Sequence, residues 1–345
     1  MARVRREWPG AVELEVTTGD GPLRALAYPA LTGRPQAGDR VLLNATALEL
    51  GLGTGGYALV VALPDRLPDS SPLGHLVKAR YTPLQATVLG ADEQGSPHHE
   101  VLRDADDLGG MPVVVADLHS ALPAILAGLR EAGPRVAAYV MLDGGALPAW
   151  FSRTAAGLRE AGWLAGTIST GQSFGGDLET VTVHTGLLAA RHVLGAEVAV
   201  VTQGPGNLGT GTRWGFSGVA CGEAVNAAAV LGGRPVASLR ISEADPRQRH
   251  RGISHHSLTA YGRVALASAD VVVPTLDGDL GTRVADQARQ LAERHRLVTV
   301  ATTGLLDALA ACPVPLATMG RGLAQDRAYF LAAAAAGRHA AALLS

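Results

Sequence analysis

The stretch PVVVADLHSALPAILAGLREAGPRVAAYVML, residues 112–142, decides the fold. It opens on a continuous apolar run, Pro112–Asp117, which is typical of a strand buried on both faces. Apolar residues at helical spacing follow, with Ser120 placed to act as the N-cap of a helix. A second apolar run, Val136–Leu142, predicts another buried strand. A strand, a helix and a second strand in this order predict two parallel strands of one sheet.

The same unit repeats toward the C-terminus. Further strands are predicted at Leu164–Thr170, Glu197–Gln203, Val236–Ile241, Asp270–Val273 and Leu297–Ala301. Helices are predicted at Pro148–Ala161, Leu178–Leu194, Gly218–Leu231, His255–Leu266 and Leu280–His295. This alternation predicts a doubly wound, mostly parallel, Rossmann-like domain over residues 111–345. A last, Ala-rich helix near Arg327–Leu344 leaves two alternatives, a buried stripe inside a monomer or a face for self-association into a homo-oligomer.

Residues 1–90 have a different pattern, because short apolar segments alternate there with Gly, Pro and Asp turn signals. Strands are predicted at Ala11–Thr17, Leu23–Tyr28, Arg40–Asn44, Tyr57–Leu63 and Leu76–Tyr81, with a sixth candidate at Leu84–Leu89. Five or six short strands in this length predict a small β-barrel-like domain. Residues 91–110 are polar and predict a connecting segment. The expected architecture is therefore α/β with two domains.

Composition excludes several classes of protein. The formal net charge of −2 gives no basic surface for nucleic acid. No apolar run reaches the 18 or so residues of a membrane span, and no secretory signal follows the basic N-terminus. Cys221 and Cys312 are too few for a disulfide framework or a CxxC metal site. We therefore expect a soluble, cytoplasmic protein that binds neither nucleic acid nor membrane, and the sequence identifies no cofactor.

Polar and glycine-rich segments follow the carboxyl ends of the predicted parallel strands, where ligands bind in open sheets of this type. The chain has 43 glycines, which in part reflects a compositional bias toward Ala, Gly, Arg and Val. Seven of the 19 residues from Gly204 to Gly222 are nevertheless glycine. The segment departs from a dinucleotide-binding fingerprint, because Pro205 lacks an N–H and further glycines delay the helix. It favours either close backbone approach to an anion or a surface loop of turn glycines.

The predicted ligand-binding residues share a position after a strand and carry backbone N–H, hydroxyl or guanidinium donors. They are Gly171, Ser173, Gly175, Gly176, Gly204, Gly206, Asn207, Gly209, Thr210, Gly211, Thr212, Arg213, Arg249, Arg251 and Ser254. Ser254 is also placed as an N-cap, which puts His255 and His256 in the first turn of a helix. Imidazoles at this positive helix end are expected to be neutral.

Three histidines are candidates for proton transfer, namely His119, His255 and His256. Asp117 and Asp143 are candidates for orienting a histidine or for binding a divalent metal. Asp117-x-His119 after an apolar strand looks like the opening motif of metallophosphoesterases, but the downstream Asn and His pattern of that family is absent.

Five longer sequence motifs resemble those of a known family. They are VLLNATALELGLGTGGYALV, VVVADLHSALP, TGQSFGGDLE, GPGNLGTGTRWGFSG and ADPRQRHRGISHHSLTA. With them, most of the chain resembles an uncharacterised bacterial family, the domain of unknown function 3866. The resemblance implies no activity and no site residues.

The residues themselves predict a protein that binds a small anionic ligand, phosphorylated or nucleotide-like, with transferase or hydrolase chemistry if it is an enzyme. Two alternatives stay open at this point. One is a non-catalytic ligand sensor or scaffold, and the other is a metal-dependent hydrolase.

Overall fold

The first part of the chain forms a five-stranded sheet in the computed structural model, which describes residues 2–68 and 74–344. Its strands are β1 (Ala2–Trp8), β2 (Ala11–Thr18), β3 (Gly21–Ala27), β4 (Leu42–Asn44) and β5 (Ala58–Ala62), with short helices α1 (Pro29–Thr32) and α2 (Thr46–Glu49). The order is β1-β2-β3-β5-β4, so the sheet is open, with β1 and β4 at its edges. The pairings of the described residues therefore do not close the predicted barrel.

A short hairpin joins this part of the chain to the rest. It consists of β6 (Leu76–Lys78) and β7 (Ala86–Val88), and α3 (His99–Leu102) lies in the predicted connecting segment. Lys78 is buried and donates hydrogen bonds to the carbonyl oxygens of Ser173 at 2.9 Å and Thr180 at 2.8 Å. The buried ammonium thus fixes the hairpin against loops of the second sheet.

The strands that follow are β8 (Pro112–Val115), β9 (Ala137–Leu142), β10 (Gly166–Ser169), β11 (Leu178–Glu179), β12 (Val198–Gln203), β13 (Arg234–Ser238), β14 (Ile241–Ser242), β15 (Gly252–Ile253), β16 (Asp270–Pro274), β17 (Arg296–Val300), β18 (Ala317–Thr318) and β19 (Arg321–Gly322). Eight of them form one parallel sheet in the order β11-β10-β9-β12-β8-β13-β16-β17. The predicted parallel sheet is confirmed.

Helices cover both faces of this sheet. They are α4 (Leu122–Arg130), α5 (Arg153–Glu160), α6 (Val183–His192), α7 (Ala220–Val230), α8 (His255–Thr259), α9 (Gly278–Ala288), α10 (Leu305–Ala310) and α11 (Arg327–Ala342). Apolar residues of α4, α5, α10 and α11 share one core, and those of α6, α7, α8 and α9 share the other. The chain therefore leaves β8 and β9 toward one face but β12 and β13 toward the opposite face. Such divergence opens a crevice at the carboxyl ends of the strands.

Helix α4 begins differently from the prediction. A 3-10 turn at His119–Ala121 precedes it, and Ser120 does not cap it. The Ser120 hydroxyl instead bonds to the hydroxyls of Thr318 at 3.0 Å and Tyr329 at 2.7 Å. The Ser120 hydroxyl therefore bonds to residues distant in sequence instead of capping α4.

The Ala-rich helix α11 is buried inside the chain. It packs closely on α4, since a Cβ on Gly128 would lie 1.9 Å from the Ala334 carbonyl oxygen. Of the two alternatives for this helix, the structure therefore supports the buried stripe inside a monomer. A homo-oligomer stays a prediction. Within the described residues, no helix combines the length and apolar character needed to cross a membrane.

His295 should make stability depend on pH. Its Nδ1 accepts the Ala269 N–H at 3.2 Å and its Nε2 faces the Tyr261 carbonyl oxygen at 2.8 Å, so the neutral ring with a proton on Nε2 fits both contacts. Burial lowers the pKa of His295 below its usual value. A lowered folded-state pKa gives stability that is present above the unfolded pKa, about 6.5, and is lost as the pH falls below it.

We expect the wild type to lose about 1 kcal/mol more than His295→Gln between pH 7.5 and 5.5, because preferential protonation of the unfolded state is worth at most about 1.4 kcal/mol per pH unit below its pKa. Urea unfolding at the two pH values measures this difference. Parallel losses in both proteins would show that His295 contributes nothing to it.

Candidate functional site

Polar side chains from two neighbouring strands meet at the carboxyl edge of the parallel sheet. Asp117 follows β8 and Arg240 follows β13, and both are buried. Arg240 Nη1 lies 3.7 Å from Asp117 Oδ2, and His256 Nδ1 lies 3.5 Å from the same oxygen. Burial would raise the pKa of Asp117, but the His256 imidazole and the Arg240 guanidinium hold it below its usual value. The carboxylate is therefore charged at neutral pH.

Ser254 positions the histidines of this site. As predicted, it is the N-cap of α8, and its Oγ accepts the His256 N–H at 3.2 Å. His255 and His256 consequently lie in the first turn of the helix. The β14–β15 hairpin brings His250 back toward them, and His250 Nδ1 lies 2.7 Å from Ser254 Oγ.

Three imidazoles converge at this point. One ring nitrogen from each of His250, His255 and His256 lies within 4.8 Å of the other two. His256 also stacks on Phe216 with ring centroids 3.8 Å apart. His255 Nε2 is buried and has no hydrogen-bond partner among the described residues. His255 Nε2 is therefore a buried nitrogen of this cluster that is available to bind a ligand.

Two of these rings are held neutral. Burial lowers the pKa of His250 to about 3, and the charges of Arg240 and Arg247 act in the same direction. Burial likewise lowers the pKa of His255 to about 4, with further contributions from His256 and Arg249. The lowered pKa supports the predicted neutral state of His255. Neutral imidazole is the form that binds a metal ion or accepts a proton.

A buried ion network holds the hairpin in place. Asp245 is fully buried and forms two hydrogen bonds of 2.9 Å with Arg247. It also lies 3.6 Å from Arg240 and 3.5 Å from Arg321. These arginines are committed to carboxylates within the chain.

The three arginines predicted to bind an anion have different surroundings. Arg251 donates to the Asp245 carbonyl oxygen at 3.1 Å, and Arg213 is exposed. Arg249 is exposed beside Gly211 and close enough to His255 to lower its pKa. Arg249 has no hydrogen bond or ion pair to another described residue. Of the three, Arg249 is the one that is both free and next to the histidines.

The glycine-rich segment after β12 folds into a turn closed on itself. Thr210 N–H donates to the Gly215 carbonyl oxygen at 2.7 Å, and the Thr210 and Thr212 hydroxyls lie 3.2 Å apart. Asn207 Oδ1 accepts the Ser217 hydroxyl at 2.9 Å. Gly204 packs against Ala146, whereas Gly206 and Gly209 are exposed. Ligand binding by this segment stays a prediction.

The loop after β10 uses its donors internally. Gly175 N–H donates to Glu179 Oε1 at 2.6 Å and Gly176 N–H to Ser169 Oγ at 2.8 Å. Ser173 is buried, and its hydroxyl donates to the Thr170 carbonyl oxygen at 2.7 Å. A role of Gly171, Ser173, Gly175 and Gly176 in ligand binding therefore stays a prediction without a free donor to support it.

The two predicted metal-binding aspartates have separate partners. Asp143 is exposed and accepts the Gln172 N–H at 3.0 Å, with Gly171 packed against its carboxylate. It follows β9, and β12 lies between β9 and β8 in the sheet. Asp117, in contrast, contacts the histidine cluster. A metal role for Asp143 stays a prediction that its position does not favour.

His119 belongs to another buried network. Its Nδ1 lies 2.9 Å from the Tyr139 hydroxyl and its Nε2 lies 2.7 Å from Ser152 Oγ. Burial lowers the pKa of His119 to about 4. The structure therefore separates the predicted acid–base histidines into two groups.

Sequence patterns alone do not assign Arg240, His250 and Ser152 to a site. Arg240 follows an apolar strand, as Asp117 does, which is the signal that could have identified it. His250 lies in the stretch that contains His255 and His256, but only the hairpin between β14 and β15 shows that it turns toward them. Ser152 lacks a signal beyond its place before a helix.

The fold and this site define a doubly wound α/β protein with a histidine cluster at the carboxyl edge of its sheet. Residues 24–337 match a family described as a protein of unknown function, DUF3866. The chain therefore belongs to DUF3866, which confirms the resemblance based on the five sequence motifs. The bacterial origin stays a prediction. Searches of curated proteins and of solved structures found no match.

Proposed function

We propose that this protein is a metal-dependent hydrolase whose divalent cation is bound by His250, His255 and His256. The observation that carries the proposal is the approach of three ring nitrogens to within 4.8 Å of one another, one of them on a ring with a buried, unpartnered Nε2. Three histidines with an open fourth position form a hydrolytic type of zinc site. Zinc–nitrogen bonds of about 2.0–2.1 Å place the nitrogens about 3.4 Å apart, so movements of about 1 Å would complete the site.

The outer contacts of the histidines support this assignment. A metal-binding histidine usually hydrogen-bonds through its other ring nitrogen to a carboxylate or another polar group. His250 Nδ1 has Ser254 Oγ at 2.7 Å, and His256 Nδ1 has Asp117 Oδ2 at 3.5 Å. His256 Nδ1 also lies 3.4 Å from Arg240 Nη1, which can only donate, so this nitrogen has a donor and an acceptor beside it. We propose that in the metal-bound form the ring donates an Nδ1 proton to Asp117 Oδ2, while Arg240 turns to the same carboxylate, 3.7 Å away. His256 Nε2 would then be unprotonated and free to bind a cation.

Arg249 supports an anionic substrate. It is a cation without a carboxylate partner among the described residues next to the cluster, and Gly211 lies against its guanidinium. Guanidinium pairs well with phosphate and carboxylate groups. A bound zinc ion would supply a water of lowered pKa as nucleophile. Arg249 would bind the anionic group of the substrate, and Asp117 would orient His256.

The proposal is tested by metal-dependent hydrolysis. Protein stripped with a chelator and reloaded with one equivalent of Zn²⁺ or Mn²⁺ is assayed with p-nitrophenyl phosphate and bis(p-nitrophenyl) phosphate. We expect turnover that needs the metal and falls by about 100-fold or more in His255→Ala, since even loss of an outer contact costs 10–100-fold. Exposed His184 on α6 provides the matched control, and His184→Ala should keep full turnover.

Equal turnover in the wild type and His255→Ala would contradict the proposal. Stoichiometric metal binding without cleavage of either ester would reject the hydrolase and leave only a metal site.

A further inference from the structure

A second group of polar side chains lies outside the three-histidine site, beside a cavity. A cavity of about 830 Å³ opens between the β1–β2 hairpin and α5, and the residues that line it include Trp8, Tyr139, Trp150 and Ser152. Small-molecule sites in proteins are commonly about 300–1,000 Å³. The cavity is therefore large enough for a small substrate, and it has a serine in its wall.

Ser152 is aligned with a histidine. Its Oγ lies 2.7 Å from His119 Nε2, and His119 Nδ1 lies 2.9 Å from the Tyr139 hydroxyl. Tyr139 in turn donates to the Gln203 carbonyl oxygen at 3.1 Å. Ser152 and His119 are both buried. A serine, a histidine within hydrogen-bond reach and a third group that orients the histidine form the general pattern of an activated nucleophile.

The protons of this chain of hydrogen bonds can be assigned. The Gln203 carbonyl oxygen lies within hydrogen-bond distance of the Thr202 and Tyr139 hydroxyls, and we assign the Tyr139 proton to it. The Tyr139 oxygen then receives the N–H of His119 Nδ1. His119 Nε2 is then a lone pair that faces the Ser152 hydroxyl. Ser152 Oγ also accepts the Ala155 N–H at 2.9 Å as N-cap of α5, which fixes its position. The serine proton therefore points to the base, as nucleophilic attack requires.

We propose that Ser152 is a catalytic nucleophile activated by His119, acting on a small carboxylic ester in this cavity. Trp8 and Trp150 provide apolar wall for the acyl group. Arg6 and Arg153, both exposed at the cavity, have no carboxylate partner among the described residues and fit a substrate with an anionic group. The first turn of α5 leaves N–H groups without helical acceptors beside Ser152, where a carbonyl oxygen gains negative charge.

The reaction is acyl transfer in two steps. Ser152 Oγ bonds to the ester carbonyl carbon while its proton passes to His119 Nε2. The ester C–O bond then breaks, and the alcohol leaves with that proton. Water, deprotonated by His119, then bonds to the acyl carbon. The bond from that carbon to Ser152 Oγ breaks, the proton passes from His119 back to Ser152 Oγ, and the carboxylic acid is released.

A fluorophosphonate probe tests this inference on the full chain in the presence of chelator. Ser152 Oγ should form a bond to phosphorus as fluoride leaves, and mass spectrometry should find the label on Ser152. Ser254 is an internal control, because it is also an N-cap with a histidine nitrogen at 2.7 Å but is fully buried and outside the cavity lining. It should stay unlabelled.

Variants then separate catalysis from structure. The labelling rate should fall by about 100-fold or more in His119→Gln, the usual worth of a general base. Labelling should be lost in Ser152→Ala and unchanged in two exposed controls, His184→Ala and Ser268→Ala. Absence of label from Ser152 in the wild type, which requires no variant to fold, would overturn the inference. So would equal labelling rates in the wild type and His119→Gln.

Discussion

Gly128→Ala is expected to destabilise the protein by about 1–3 kcal/mol, although alanine is the better helix former by about 1 kcal/mol. Helices α4 and α11 touch backbone to backbone at this position. The new Cβ would lie 1.9 Å from the Ala334 carbonyl oxygen, and a Cβ on Gly337 would lie 1.9 Å from the Ile125 carbonyl oxygen. Neither oxygen is on a side chain that can rotate away, so the helices must separate and lose packing across one core.

Urea unfolding measures this loss, with Gly19→Ala as the control because a Cβ at Gly19 would meet no atom within 4 Å. Gly19→Ala should change the free energy of unfolding by less than about 0.5 kcal/mol, as surface substitutions usually do. Gly128→Ala and Gly337→Ala should be less than additive when combined, since one helix separation relieves both clashes. A Gly128→Ala protein as stable as the wild type would contradict the close packing.

Loss of zinc binding is the second large effect. His255→Ala should weaken zinc binding by about 100-fold or more, because removal of a ligand should exceed the 10–100-fold cost of removing an outer contact. Zinc at about 100 times its dissociation constant should stabilise the wild type by about 2.7 kcal/mol and His255→Ala hardly at all. Competition with a chromophoric chelator gives the affinities, and thermal unfolding with and without zinc gives the stabilisation.

His184→Ala should match the wild type in both measurements, because His184 is exposed on α6. Equal stabilisation of the wild type and His255→Ala by zinc would place the bound ion elsewhere on the chain.

The parallel sheet could be predicted because its strands are continuous apolar runs separated by helical patterns. Two strands of the large sheets escaped prediction for physical reasons. Strand β1, ARVRREW, contains three arginines and a glutamate and depends on pairing with β2. Strand β11 is only two residues long. The open first sheet could not be predicted either, since closure depends on long-range pairing that local patterns do not encode.

The site could be predicted in part. Ser254 and the two histidines after it carry a local N-cap signal, and the structure confirms that cap. The separation of Asp117 from Asp143 depends on strand order, because β12 enters the sheet between β8 and β9. The approach of His250 depends on the β14–β15 hairpin, and the burial of Arg240 depends on carboxylates distant in sequence. Local sequence gives the candidate residues, and the tertiary fold selects among them.

Zinc K-edge X-ray absorption on the chain loaded with one equivalent of zinc tests the central claim most directly. We expect multiple scattering from three imidazole rings, with zinc–nitrogen distances of about 2.0–2.1 Å, and a fourth ligand that is a water oxygen. Scattering from sulfur at about 2.3 Å, or an oxygen-only shell without imidazole, would contradict a metal centre at His250, His255 and His256.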